Sequence, residues 1–129
     1  MYIEQLSLAR QLDLVFNEIQ EELSSLSSGI VFLHIRNNTI GKFGVIHDPI
    51  QGCESKDLSF HQGLTSKQIY AFKKMAIHSL KYKSHWTHGQ ISFEFALKNK
   101  KLATSVQFES NYNMANLLSR SNENISSRC

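Results

Sequence analysis

Six histidines make metal binding the first chemistry to consider. His78, His85 and His88 come closest to a cluster, but zinc needs three or four ligands, usually with cysteine or carboxylate among them. No acid and no cysteine lies between residues 78 and 88. We therefore expect surface histidines here and no metal or other cofactor. His34 and His47 are expected to pair across a hairpin as ordinary polar side chains.

A cysteine nucleophile is the second chemistry to consider, with Cys53 and His61 as the reacting pair. A catalytic cysteine needs a nearby cation or a helix N-terminus to favour its thiolate, whereas Glu54 and Asp57 act in the opposite direction. Cys53 and Cys129 offer no disulfide framework. The chain also lacks a Gly-x-Ser-x-Gly elbow, a phosphate loop and a dinucleotide fingerprint. We expect a protein that is not an enzyme.

Lysines with aromatic residues among them offer a third chemistry, which is phosphate binding combined with base stacking. The residues concerned are Lys67, Lys73, Lys74, Lys81, Lys83, Lys98, Lys100 and Lys101, with Tyr70, Tyr82 and Trp86. Arginine, which is better suited to paired hydrogen bonds with phosphates and bases, is absent from residues 37–119. Nucleic-acid binding through a lysine-rich face is therefore the alternative function.

Charge is distributed unevenly along the 129 residues, with a sum of −4 over residues 1–60 and +7 over residues 61–129. One explanation is that an acidic first helix lies beside a lysine-rich second helix, and the other is a basic face for an acidic partner. No apolar run reaches the length of a membrane span, and the N-terminus does not resemble a signal peptide. We expect a cytoplasmic protein that does not bind membranes.

The elements of the first half are clear from their periodicity. Apolar residues spaced by three and four predict a helix that begins at Leu8 and ends in the serine-rich stretch before Gly29. Ile30–Arg36 and Thr39–His47 have extended character, and Asn37-Asn38 between them suits a two-residue turn because asparagine tolerates positive φ. The first half is therefore a helix followed by a hairpin.

The second half repeats this plan after a long loop, Asp48–Gly63. Thr65 and Gln68 form a capping-box pair at the start of a second helix. Two alternating segments on either side of Asn99-Lys100 then predict a second hairpin. Trp86, which directly precedes this hairpin, is expected to close one end of the core.

These elements predict an α+β domain of two layers, with the order αββαββ and a short C-terminal helix or tail. Two hairpins form a four-stranded antiparallel sheet, and two helices cover one of its faces. We place this single domain at residues 1–118 and a flexible polar tail at residues 119–129.

The second hairpin contains two segments that carry a family resemblance. They are Trp86-Thr87-His88-Gly89-Gln90-Ile91-Ser92-Phe93 and, after a turn, Val106-Gln107-Phe108-Glu109-Ser110-Asn111-Tyr112-Asn113 with Leu117. Both segments resemble the C-terminal half of the YezG-type immunity proteins. Members of that family are small cytosolic bacterial proteins that neutralise the toxic C-terminal domain of a secreted polymorphic toxin, often a nuclease. The resemblance implies a binding protein whose partner is a cognate toxin domain, which it would occlude sterically.

Two groups of charged residues are candidates for contact with such a toxin. A basic toxin site would be met by the acidic segment that contains Asp48, Glu54 and Asp57. An acidic toxin surface would be met by Lys98, Lys100 and Lys101 at the second hairpin turn. The sequence does not choose between these groups.

Overall fold

Two helix-hairpin units follow one another in the computed structural model, which describes residues 6–48 and 63–119. The elements are α1 (Leu8–Leu23), β1 (Ser28–Arg36), β2 (Thr39–His47), α2 (Ser66–Ser79), β3 (His88–Lys98) and β4 (Lys101–Ser110). A short 3₁₀ helix, Leu80–Tyr82, follows α2, and residues 114–119 form a helical turn after β4. The predicted order of elements is confirmed.

The four strands form one antiparallel sheet in the order β2-β1-β3-β4. The two hairpins therefore meet at the centre of the sheet, where β1 pairs with β3. Val31 lies opposite Phe93 and Leu33 lies opposite Ile91 in this pairing. The predicted four-stranded antiparallel sheet is confirmed.

Both hairpins turn through two residues with positive φ. The φ angles are 51° and 59° at Asn37 and Asn38, and 53° and 65° at Asn99 and Lys100. Two consecutive residues in this region are typical of the type I′ turn, whose twist matches that of the flanking strands. The predicted turns are therefore in place, although Lys100 lacks the asparagine side chain that eases this conformation.

The register of the first hairpin contains an irregularity. Leu33 lies opposite Phe43 and Ile35 lies opposite Ile40. Two residues of β2, Gly41 and Lys42, therefore lie opposite the single residue His34 of β1. His47 lies at the far end of β2, opposite Gly29, and its ring bonds the Glu22 carboxylate of α1. The expectation that His34 and His47 pair across the hairpin is wrong, because a β-bulge and the strand length separate them.

The core lies between the helices and one face of the sheet. Its residues are Leu12, Val15, Phe16, Ile19 and Leu23 of α1, Ile69, Phe72 and Ala76 of α2, and Val31, Leu33, Ile35, Ile91, Phe93 and Phe95 of the sheet, with Leu64 and Trp86. Alternate residues of β1 and β3 thus point into this core. Both helices cover the same face, as the sequence predicted.

Side-chain amides anchor the helices to the hairpin turns. Thr65 and Gln68 form the predicted capping box, which is confirmed, and Gln68 Nε2 also donates to the Lys100 carbonyl at 3.1 Å. Gln11 of α1 donates to the Asn38 carbonyl at 3.1 Å and accepts from the Ile40 N–H at 2.7 Å. Each helix is therefore fixed relative to a hairpin by partly buried or capping hydrogen bonds.

Trp86 closes one end of the core, as predicted, and is only 1% exposed. Its ring packs against Phe108 with centroids 5.9 Å apart. Its backbone N–H donates to Asn38 Oδ1 at 2.8 Å, and its carbonyl accepts from the Asn38 N–H at 2.9 Å. These bonds fasten the first hairpin turn to the start of β3, which holds the two halves of the chain together.

The two helices lie side by side and share an ion pair between Asp13 and Lys73 at 2.8 Å. The hydrogen bond from Lys73 lowers the pKa of the Asp13 carboxyl below its ordinary value. A partial loss of hydration raises this pKa, but the positive charges of Lys73 and Arg10 lower it further. The first explanation of the uneven charge, contact between the acidic and the lysine-rich helix, therefore has a structural basis.

Replacing Gly89 with alanine should destabilise the fold. An added Cβ would collide with the Trp86 ring and with the Glu109 carbonyl, neither of which can move without disturbing the core or the β3–β4 ladder. We expect a loss of about 1–3 kcal/mol in the free energy of unfolding, measured by urea titration. Gly41→Ala is the matched control, since the nearest atom to its Cβ is the His34 carbonyl oxygen at 4.0 Å; an equal loss in both variants would contradict the packing described.

The Asp13–Lys73 pair should make stability depend on pH. Because the pKa of Asp13 is lower in the folded chain than the ordinary value of 3.8, the pair contributes fully to stability above that value. The contribution is lost as pH falls below it and through the lower pKa of the folded chain. As the pH is lowered from about 6 to about 2.5, the urea midpoint of Asp13→Asn should therefore approach that of the parent chain. Lys73→Met should converge in the same way, and a gap that stays constant with pH would show that the pair does not stabilise the fold.

Candidate partner-binding surface

The second face of the sheet carries no covering element among residues 6–48 and 63–119. We call it the open face. It presents Ser28, Ile30, Phe32, His34 and Arg36 of β1, Ile46 of β2, His88, Gln90, Ser92, Glu94, Ala96 and Lys98 of β3, and Lys101, Ala103, Ser105, Gln107 and Glu109 of β4. The open face therefore mixes apolar, amide and charged side chains.

The part of the open face over β1 and β2 is apolar. Ile30 lies opposite Ile46, which is 50% exposed, and Phe32 lies opposite Gly44. A Cβ at Gly44 would lie only 2.9 Å from Phe32 Cζ, so the glycine makes room for the phenyl ring to lie across β2. The His34 ring is 5.3 Å from that of Phe32. We call Ile30, Phe32 and Ile46 the apolar patch.

Sequence reasoning did not identify the apolar patch. A signal for it was present, because Ile30, Val31, Phe32 and Leu33 are apolar without alternation. Such a run places large side chains on both faces of a strand. Since the helices cover only one of these faces, Ile30 and Phe32 are left on the other.

The part of the open face over β3 and β4 is polar. Ser92 lies opposite Gln107 and Gln90 lies opposite Glu109. Glu94 lies opposite Ser105, whose hydroxyl is 3.5 Å from the Glu94 carboxylate. The open face therefore changes from apolar to polar across its width.

One member of each predicted contact group, Asp48 and Lys98, lies at one end of the open face. The Asp48 carboxylate accepts a hydrogen bond from the Ser28 hydroxyl. Asp48, Ser28, Glu94 and Lys98 all line the same shallow hollow of about 430 Å³. The residue from the acidic segment and the first of the three hairpin lysines therefore lie at a common site.

The hairpin lysines form a compact basic tip at this end. Lys98 lies opposite Lys101 in the β3–β4 ladder, Lys100 occupies the turn, and all three are exposed. The remaining residues of the predicted acidic group, Glu54 and Asp57, lie outside the described residues. Of the two groups, the lysines are brought together by the fold and Asp48 lies beside them.

The lysines and aromatics proposed for nucleic-acid binding are partly engaged elsewhere. Trp86 is buried, so its inclusion among the stacking aromatics was wrong. Lys83 Nζ lies 4.9 Å from the centroid of the Trp86 ring. Tyr70 and Tyr82 are 56% and 70% exposed. Lys74 Nζ lies 5.5 Å from the Tyr70 ring and Lys81 Nζ lies 5.5 Å from the Tyr82 ring. Tyr70 lies near the start of α2, whereas Tyr82 lies in the 3₁₀ helix that follows it, about 20 Å further along the helix axis.

The histidines considered for metal binding, His78, His85 and His88, are exposed. Within the part of the chain that the structure describes, no group of three or more His, Cys, Asp or Glu side chains is placed to hold a metal ion. Cys53, His61 and Cys129 lie outside that part. The described residues also contain no helix with the length and apolar character needed to cross a membrane.

Comparisons of this chain with protein families, with curated proteins and with solved structures found no match.

Proposed function

We propose that this chain is an immunity protein of the YezG type, which acts in the cytoplasm by binding a cognate toxin domain and blocking access to its active site. The inhibition is steric, and it involves no turnover and no cofactor. The observation that carries the proposal is the open face, a broad sheet surface that combines the apolar patch with charged and amide side chains.

The chemistry of the open face supports a protein partner. Protein interfaces combine a few apolar or aromatic anchors with a polar rim that stays hydrated. Phe32 and Ile46 supply the anchors, while Glu94, Gln107 and Glu109 lie on the polar side. A flat surface of this kind can cover the mouth of a toxin active site without entering it.

The residues that carry the resemblance divide between core and surface. Trp86, Ile91 and Phe93 are buried, and Gly89 is needed for the packing of Trp86. They position β3 and β4, and we assign them no direct contact with a toxin. In the same segments Gln107 and Glu109 lie on the open face, where they are available to a partner.

The charge at the end of the open face would orient the toxin domain. Asp48 is the described member of the acidic segment, which includes Glu54 and Asp57 and would face a basic toxin site. Lys98, Lys100 and Lys101 would face an acidic one. Opposite potentials raise the association rate and fix the relative orientation of two proteins, so one of these groups should control the rate of binding.

The proposal expects a neighbouring gene that encodes a toxin domain, and the test is co-expression of this chain with that domain. The parent chain should restore growth, and Ile46→Glu should fail to do so, with affinity for the purified toxin domain reduced at least about tenfold, because a charge replaces an anchor in the apolar patch. Leu14→Glu on α1 is the matched control, since Leu14 is 48% exposed against 50% for Ile46. It should rescue growth fully.

Two outcomes would contradict the proposal. Continued death with the parent chain would exclude the immunity function, provided that both proteins accumulate. Equal rescue by Ile46→Glu and Leu14→Glu would place the binding surface elsewhere.

Asp48→Lys and Lys98→Glu identify the sign of the charge on the toxin surface that is bound. The variant that removes the attractive group should slow association more than the other.

The alternative function is nucleic-acid binding, which the exposed rings of Tyr70 and Tyr82, each beside a lysine ammonium, favour. Anisotropy of labelled DNA and RNA across a salt series separates the two functions. Affinity that falls steeply with salt and is weakened by Tyr82→Ala would support nucleic-acid binding. The immunity proposal expects no such binding at physiological salt.

A further inference from the structure

The two edges of the sheet differ in how well they are protected against pairing with another strand. β2 contains the bulge beside His34, two glycines and Lys42, which are features that blunt an edge. β4 runs for ten residues in unbroken register with β3 and contains no glycine or proline. No described residue pairs with its outer side. β4 is therefore the edge that is open to pairing.

The turn fixes which backbone groups of β4 face outward. In a two-residue hairpin the flanking residues, Lys98 and Lys101, exchange hydrogen bonds, and alternate residues of β4 then bond to β3. The hydrogen bond from the Asn111 N–H to the His88 carbonyl, at 2.9 Å, continues the same alternation beyond the end of β4. The N–H and C=O groups of Leu102, Thr104, Val106 and Phe108 consequently point away from the sheet.

We propose that β4 pairs with β4 of a second copy of this chain, antiparallel and centred on Ser105, so that two sheets join into one. A two-fold axis perpendicular to the sheet keeps the open faces of both copies on the same side. In this register Lys101 lies opposite Glu109 of the second copy, and Ala103 lies opposite Gln107. Each of these pairs occurs twice.

Charge selects this register. Within the hairpin Lys101 lies beside Lys98, a like-charge pair that destabilises the ladder. Glu109 of the second copy would lie on the other side of Lys101 and offset this repulsion. A shift of two residues in either direction replaces that contact with Gln107 or Asn111, neither of which carries a charge. The register centred on Ser105 therefore joins opposite charges and pairs residues 101–109 of each β4 strand.

The helix side of β4 is also self-complementary. Leu102, Val106 and Phe108 belong to the margin of the core and are only half-buried. In the proposed register Leu102 adjoins Phe108 of the second copy, and Thr104 adjoins Val106. These contacts would cover apolar surface that α2 leaves partly exposed, while the outward backbone groups of the same four residues pair with one another.

The test is sedimentation equilibrium of the full chain over about a hundredfold range of concentration. The average mass should rise with concentration from 14.8 kDa towards twice that value. Ser105→Lys should keep the chain monomeric, because it places two ammonium groups side by side at the two-fold axis. Ser105 is exposed, so circular dichroism should show an unchanged fold.

Charge reversal tests the register itself. Lys101→Glu and Glu109→Lys should each raise the dimer dissociation constant about tenfold, because each converts two attractive pairs into repulsive ones. The double variant should restore the parent value. Lys42→Glu makes the same change of charge on the opposite edge and should leave the dissociation constant unaltered.

A chain that stays monomeric at every concentration overturns the proposal. So does a dimer that tolerates Ser105→Lys and both charge reversals, since it must use another surface. If the double variant fails to restore dimerisation, the register centred on Ser105 is wrong. Should Ser105→Lys fail to fold, the charge reversals at two exposed positions still decide the question.

Discussion

Phe72 of α2 lies where the two helices and the sheet meet. Its ring stands edge-on to the ring of Phe16 of α1, with the two centroids 5.1 Å apart. The centroids of Phe93 and Phe95 of β3 lie 6.4 and 5.2 Å from that of Phe72. Phe72 of α2 thus contacts α1 and the sheet at once, which places both helices on the same face of the sheet. Because this packing holds both helices on one face, the second face has no covering element among the residues that the structure describes.

The segment from Trp86 to Gly89 acts within the fold rather than at its surface. Trp86 fills the end of the core, Gly89 leaves space for the indole, and Asn38 bonds the Trp86 backbone on both sides of the residue. The first hairpin turn is thereby joined to the start of β3. This segment therefore holds the two halves of the domain in register and positions β3 and β4.

The surfaces left for partners are ordered by the strand sequence β2-β1-β3-β4. The apolar patch lies over β1 and β2, the polar half lies over β3 and β4, and the basic tip and Asp48 occupy one end. Pairing through β4 would bring two polar halves together at the centre of a wider sheet and leave an apolar patch on each side. A dimer would thus offer two equivalent binding surfaces on one face, which is compatible with binding a toxin domain at each.

The sequence by itself determined the local structure, because its signals act over a few residues: the capping box at Thr65, the Asn37-Asn38 turn and the alternation of β3 and β4 all form as predicted. Periodicity indicates which side of an element is apolar, but it does not say which element covers that side or which strand lies next to which. Only the tertiary structure decided that β1 pairs with β3, that a bulge separates His34 from His47, and that Asp48 lies near Lys98. Those contacts join residues far apart in the chain, and they depend on how all the apolar faces are buried at once.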